Sequence, residues 1–323
     1  MFVRDLQDGA AVDQVLLVRE AELRAKRDGG QYLRLTLADR TGRLPANVWD
    51  DVAGLAPIAT PGTPVHVTGR FQVTARYGPE LKLRSLRPAQ ADAFCEADLL
   101  DGPARPPEQM EADLRRLLAT IQDPHLRRLL DVLLGERSPT WARYVRAPAA
   151  KHYHQAYRHG LLEHSLSVAQ AVSAISATFG GIDRDVAVTG ALLHDIGKLE
   201  AYAMQDGCID LTDAGKLQGE IPLGYYRVRR AIEDIEGFDP ATAQAVVHIV
   251  LSHHGSLEHG SPVVPCTREA TLVHFLDNLG GRLGSFDRLE KELPTGERWS
   301  RFDRVIGSGA YFAAPAHEQR EAA

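Results

Sequence analysis

Cysteine is scarce in this chain. Cys95, Cys208 and Cys266 are the three among 323 residues, odd in number and far apart. That argues against a disulfide framework or a cysteine-built zinc site, and for a reducing compartment. Long apolar runs are missing too: no stretch approaches the ~18 consecutive apolar residues that span a bilayer. Met1-Phe2-Val3-Arg4-Asp5 carries an early acid and no apolar h-region, so no secretory signal is expected and the expected location is cytoplasmic. Nor is there a large charge of one sign. The formal net charge is −6, with 44% hydrophobic and 25% charged residues, ordinary for a globular chain. The charge is uneven, however. Residues 1–95 carry 13 Lys+Arg against 11 Asp+Glu, and the remainder 24 against 32. The first part tolerates a polyanion, and the acidic second part suits carboxylates that hold cations.

The length suggests about two domains. Residues 1–95 read as β. Tyr32 to Leu37 alternates strictly, with Leu33, Leu35 and Leu37 on one face. Strands are also expected over Leu44–Trp49, Val65–Gly69, Phe71–Ala75 and Leu81–Arg84, the last two forming a hairpin around Gly78-Pro79. Five or so short strands suit a small Greek-key barrel. Residues 96–108 hold a proline-rich linker, Asp101-Gly102-Pro103-Ala104-Arg105-Pro106-Pro107. Residues 109–315 then read as helical, with buried stripes such as Leu114, Leu117, Leu118 and Leu129, Leu130, Leu133, and with no convincing strand as far as about residue 290. The Ala/Glu/Gln-rich tail 316–323 is expected to fray.

The chemistry is concentrated in the second part. Ten of the thirteen histidines lie between His152 and His274. Ala191-Leu192-Leu193-His194-Asp195-Ile196-Gly197-Lys198 sets an imidazole beside a carboxylate inside an apolar segment. On a helix these two side chains diverge by about 100° and flank one groove. Lys198 would sit on the same shoulder. His164 stands near the start of another helix. His253-His254 ends a third, which begins near Ala241 with Gly255 as its cap. Asp277 lies within the apolar run Leu272–Leu279, where a carboxylate is costly unless paired or ligating. Mixed imidazole and carboxylate ligation suits Mn²⁺, Fe or Zn²⁺ better than Ca²⁺. His152, His159, His248, His259 and His274 are each expected at the surface or in the core.

Two resemblances organise these readings. Tyr32-Leu33-Arg34-Leu35-Thr36-Leu37-Ala38-Asp39-Arg40-Thr41-Gly42, followed by Ala46-Asn47-Val48-Trp49-Asp50, resembles an OB-fold of the nucleic-acid-binding type. Such barrels hold single strands on aromatic platforms and basic side chains. The candidates are Tyr32, Arg34, Trp49, Phe71, Arg76 and Tyr77, with the competing reading that Trp49 and Phe71 fill or cap the barrel. The order His, His-Asp, Asp on helices resembles the HD superfamily of metal-dependent phosphohydrolases, matched by His164, His194, Asp195 and Asp277. Arg146 to Lys151, His154-Gln155-Ala156-Tyr157, Gly160-Leu161-Leu162-Glu163-His164, Ser252-His253-His254-Gly255, Gly260-Ser261-Pro262 and Asp277-Asn278-Leu279 are similar to the YhaM-type 3′-to-5′ exoribonucleases.

That resemblance implies a small all-β OB-fold barrel followed by an all-α HD-domain helical bundle. It implies hydrolysis of single-stranded RNA from its 3′ end to 5′-mononucleotides, with water activated by one or two divalent ions. Mn²⁺ is the first expectation, with Mg²⁺, Fe or Co²⁺ as alternatives. The implied metal ligands are His164, His194, Asp195 and Asp277, joined by Glu220, His253 and His254. Lys198 is assigned to the phosphoryl charge, and Lys151 and His154 to the substrate. Three places in the chain depart from the pattern of the family it resembles. Gln155 stands where a second histidine is usual, Glu220 stands in place of a histidine, and Gly280-Gly281 replace an acidic residue. A single-stranded DNA exonuclease, an HD nucleotide phosphohydrolase and a non-catalytic single-strand-binding protein are the competing readings. No membrane is expected, and a homo-oligomer is compatible with the sequence.

Overall fold

The computed structural model describes the chain apart from residues 27–28, 75–77, 104, 152–154, 206–207, 294–296 and 314–323. The expected tail therefore lies outside the described residues. The chain forms two compact units: Met1–Asp101 with Gln205–Cys208 and Ser285–Ala323, and Gly102–Met204 with Ile209–Gly284.

The first unit is built on β1 (Ala11–Ala25), β2 (Gln31–Asp39), β3 (Gly42–Val48), β4 (Pro64–Thr74) and β5 (Gly78–Pro88), with α1 (Val52–Leu55) between β3 and β4. The strands close a barrel in the order β1-β2-β3-β5-β4. β1 has to serve two neighbours. Ala11 to Leu17 pairs with β4, and Leu17 to Ala25 pairs with β2, across a bulge between Val18 and Glu20. Bulges increase local twist and bend a strand, which helps a small barrel to close. Alternation puts Leu33, Leu35 and Leu37 inside with Leu16, Val18, Leu44, Ala46, Val65, Val67 and Leu81, all buried. β4 is one strand where two were expected. The join is Gly69, on which a Cβ would lie 2.4 Å from the Lys82 carbonyl oxygen. That crowding is why glycine stands at this second bulge, between Thr68 and Gly69.

The helices are α2 (Glu96–Leu99), α3 (Pro107–Leu118), α4 (Pro124–Leu134), α5 (Trp141–Arg146), α6 (Gly160–Ser176), α7 (Arg184–Leu193), α8 (Lys198–Ala201), α9 (Asp213–Gln218), α10 (Glu220–Glu233), α11 (Pro240–Ser252) and α12 (Arg268–Lys291). Several begin where a short acid meets the free N–H groups of the first turn. Asp123, Asp183 and Asp239 accept from the backbone of Leu126, Val186 and Thr242. α4 is amphipathic, burying Leu126, Leu129, Leu130 and Leu133. α7 is different: every residue from Val186 to Leu193 is buried, so it is a central helix of its bundle. Each fully buried leucine contributes ~1.5–3 kcal/mol.

Two local features depart from the sequence reading. A hairpin, β6 (Tyr202–Gln205) and β7 (Cys208–Leu211), interrupts the stretch expected to be purely helical. The His194-Asp195 pair lies not within a helix but on the turn His194–Gly197 that joins α7 to α8. A Cβ on Gly197 would stand 2.0 Å from the Glu220 carbonyl oxygen and 2.4 Å from the Gly224 nitrogen. Glycine there lets α10 press directly on the turn.

Candidate metal centre

Six helix ends or faces meet at the His194–Gly197 turn. α6 supplies His164, the end of α7 supplies His194 and Asp195, and α8 supplies Lys198. α10 supplies Glu220 from its first residue, the end of α11 supplies His253 and His254, and α12 supplies Asp277. The side chains fall into two groups of ligand atoms, each lying within 4.8 Å of one another: His164, His194 and Asp277; and Asp195, Glu220, His253 and His254. In the first group Asp277 Oδ1 is 2.9 Å from His164 Nε2 and 3.6 Å from His194 Nε2. Asp195 joins the groups. Its Oδ2 lies 3.4 Å from His164 Nε2 and 3.3 Å from His194 Nε2, while its Oδ1 faces His253 Nε2 at 3.5 Å. Glu220 Oε1 is 3.4 Å from His254 Nε2.

Backbone carbonyls fix the imidazoles. His194 Nδ1 donates to the Ala191 oxygen, His253 Nδ1 to the Val250 oxygen and His254 Nδ1 to the His259 oxygen, over 2.7, 2.8 and 2.8 Å. Because a carbonyl can only accept, each Nδ1 carries its proton and each Nε2 is left facing the cluster, the tautomer a metal ligand needs. His274 Nδ1 donates to the His253 oxygen and so steadies the end of α11. Buried Tyr144 donates to the Leu192 oxygen, which fixes the end of α7.

The electrostatics call for more positive charge than the residues bring. Three carboxylates, Asp195, Asp277 and Glu220, share one ammonium, Lys198, whose Nζ donates to Asp195 Oδ2 over 2.7 Å and lies 3.8 Å from Glu220 Oε1. Burial opposes ionisation of Asp195, but Lys198 and His194 override it and hold the carboxyl well below its usual range. Burial likewise opposes ionisation of Asp277, where His164 and His194 prevail. Burial would strip the proton from His194; Asp195 and Asp277 reverse this and push it up to about 10. Burial lowers His253. Two buried atoms, Asp195 Oδ1 and His253 Nε2, have no hydrogen-bond partner among the described residues. A divalent cation among these donors would replace the proton on His194 and satisfy both orphaned atoms, so the residues fit such an ion.

Lys198 is buried beneath Asp195, not on the surface of the cleft. Lys151 pairs with Asp210 over 2.7 Å. His154, Arg76 and Tyr77 lie outside the described residues. On the barrel, Tyr32 and Trp49 stack with ring centroids 4.5 Å apart and planes 17° from parallel, and Trp49 is 53% exposed. They line one groove with Arg34 and Lys82. Phe71 is a correction: it is 7% exposed and packs in the barrel core, because its strand position points inward. Tyr202, which no pattern marked, faces Glu220; burial first and then the Glu220 charge raise its phenol to about 12. It sits on the hairpin that the sequence reading did not anticipate, so nothing local could single it out.

Comparison with known proteins agrees with this geometry. The family described as HD domain matches residues 161–281, a span that holds all eight side chains of the cluster, and the OB-fold nucleic acid binding domain matches residues 17–89. The 3′-5′ exoribonuclease YhaM of Geobacillus sp. (strain WCH70) is 30% identical over 290 residues, covering 90% of this chain and 88% of that protein. The proteins of the same name from Shouchella clausii (strain KSM-K16) and Bacillus subtilis (strain 168) are each 29% identical, with 91% of this chain covered and 91% and 92% of theirs. With both domains matched in order and nearly the full length shared, the chain belongs to the YhaM exoribonuclease family.

Proposed function

We propose that this chain is a metal-dependent 3′-to-5′ exoribonuclease that hydrolyses single-stranded RNA to 5′-mononucleotides, with Mn²⁺ as the working ion. The observation that carries this reading is the placement of Asp195 between two ligand groups, one oxygen toward His164 and His194 and the other toward His253. A carboxylate so placed suits a pair of ions better than one. His164, His194, Asp277 and Asp195 would hold one ion, and Asp195, Glu220, His253 and His254 a second. Bound divalent metal supplies a water nucleophile near neutral pH and offsets charge on the phosphoryl oxygens.

The chain's own residues prepare that chemistry. Lys198 keeps Asp195 and Glu220 ionised, so it acts as a positioning residue and not as a phosphate contact. Carbonyl bonds to the three Nδ1 atoms hold the imidazoles in one orientation before any ligand arrives. The mixed donor set, four imidazoles and three carboxylates with no thiolate, suits Mn²⁺ and disfavours thiophilic ions. The Tyr32–Trp49 stack, flanked by Arg34 and Lys82, is the element that holds the single strand.

End-labelled single-stranded RNA and DNA, each incubated with Mn²⁺, Mg²⁺ or chelator, test the reading. Stepwise shortening of RNA from the 3′ end, release of nucleoside 5′-monophosphates and silence in chelator are the expected results. Asp195→Ala should abolish turnover while the protein stays folded. Unchanged turnover of that variant at saturating Mn²⁺, or release of internal fragments by the unmodified chain, overturns it.

A further inference from the structure

The segment that follows α12 belongs to the barrel unit. Arg298-Trp299-Ser300-Arg301-Phe302-Asp303-Arg304 alternates guanidinium groups with aromatic rings, and Tyr311 follows. Trp299, Phe302 and Tyr311 are 61%, 71% and 50% exposed. Leaving three large rings in water within so short a stretch is unfavourable by the usual burial argument, and such a cluster marks an interaction surface.

The rings are held in place. Trp299 bridges to Tyr311 with ring centroids 5.1 Å apart. The Ser300 nitrogen donates to the Ala310 oxygen over 2.9 Å, and the Phe312 nitrogen to the Arg298 oxygen over 2.8 Å. Asp303 ties the turn: Oδ1 accepts from the Val305 and Ile306 nitrogens, and Oδ2 accepts from Arg288 Nη2 over 2.6 Å. Arg301 reaches the start of β5, where its guanidinium fills the space that a side chain on Gly78 would take. There it lines the same groove as Tyr32, Arg34, Trp49 and Lys82. Three cations therefore face a groove that also contains Glu80 as its acid, a balance that suits a polyphosphate chain.

We propose that Arg298–Tyr311 is a second single-stranded RNA contact that continues the barrel groove. Arg301 takes a backbone phosphate at the groove, and Trp299 and Phe302 stack bases beyond it. The proposal rests on the reading of the barrel as the strand-holding element. Stacking on aromatics and phosphate pairing with guanidinium need no base identity, which fits an enzyme that must pass any sequence.

Binding of a dye-labelled adenylate oligomer of ~15 nucleotides, within the reach of one or two such platforms, is measured by anisotropy in chelator so that the strand stays intact. The full chain is compared with Trp299→Ala, Arg301→Ala and Trp49→Ala, each checked for an unchanged melt. Trp299→Ala is expected to weaken binding ~5- to 150-fold, the range of one lost base stack. Arg301→Ala is expected to lower the slope of log affinity against log salt by ~0.7, one phosphate contact on a single strand. In a Trp49→Phe chain, Trp299 is the one exposed tryptophan, and its fluorescence should fall on RNA addition. If Trp299→Ala and Arg301→Ala bind as the unmodified chain while Trp49→Ala is weakened, the proposal fails and the barrel reading stands. If none of the three is weakened, both fail. If the Trp299 variant changes particle mass in light scattering without changing RNA affinity, the segment is a protein contact and the proposal is overturned.

Discussion

Lys198 Nζ donates to Asp195 Oδ2 over 2.7 Å, and both side chains are buried. They stand three positions apart, so the pair forms within one turn and travels with the end of α7. Breaking a buried ion pair by removing one partner costs ~3–5 kcal/mol, because the other charge is stranded. Lys198→Met is therefore expected to lower the melting temperature in chelator and to recover part of the loss in Mn²⁺, which replaces the missing positive charge. Turnover should fall by ~10²-fold or more, the cost of several kcal/mol of lost preorganisation. Thermal melts with and without Mn²⁺ check this; a melt that is unchanged in chelator would show the pair contributes nothing.

Glu220 carries the next prediction. The structure puts its Oε1 3.4 Å from His254 Nε2 and 3.8 Å from Lys198 Nζ. A carboxylate is a harder ligand than imidazole and favours Mn²⁺ or Mg²⁺. Glu220→Ala should raise the Mn²⁺ concentration needed for half-maximal rate, and Glu220→His should keep activity while broadening tolerance for Co²⁺ and Ni²⁺. A metal titration decides: if the alanine curve overlays that of the unmodified chain, Glu220 lies outside the coordination set.

Gly197→Ala tests how the site is assembled. The added methyl would meet backbone atoms of Glu220 and Gly224, which no side-chain rotation can move aside. Overpacking of this kind costs ~1–3 kcal/mol and forces a shift of α10. The expected outcome is a lower urea midpoint together with a weaker grip on Mn²⁺, since the shifted helix carries Glu220. Retention of both midpoint and metal affinity would mean that the contact between the turn and α10 is slack.

Asp303 gives a pH dependence away from the metal cluster. Burial opposes its ionisation, but the Ile306 amide and Arg288 prevail and hold its carboxyl below the ordinary value. A carboxylate lowered in the folded state adds stability above its unfolded pKa of ~3.9 and loses it as pH falls through the lower folded value. Denaturation should show the chain losing stability below about pH 4, and Asp303→Asn should flatten that part of the profile while lowering stability at pH 7. A variant with the parent's acid profile would remove Asp303 from the account.

The sequence by itself determined which side chains were available and what kind of element carried them. Strict alternation marked β2, spaced leucines marked α4, and a histidine-rich stretch with an aspartate in an apolar helix pointed to His164, His194, Asp195 and Asp277. These are local signals, carried by neighbours a few residues apart, and local backbone geometry is enough to express them. Tertiary structure decided everything that depends on which way distant elements meet. It turned Phe71 into the barrel core, fused two expected strands through Gly69, bent the His194–Gly197 segment out of the helix and turned Lys198 under Asp195. It also brought Glu220, Tyr202 and, on the other unit, Arg301 to sites that their own neighbours in sequence do not announce. The physical reason is that apolar periodicity says which face of an element is buried, whereas a polar cluster needs several such faces to converge, and only packing fixes that convergence.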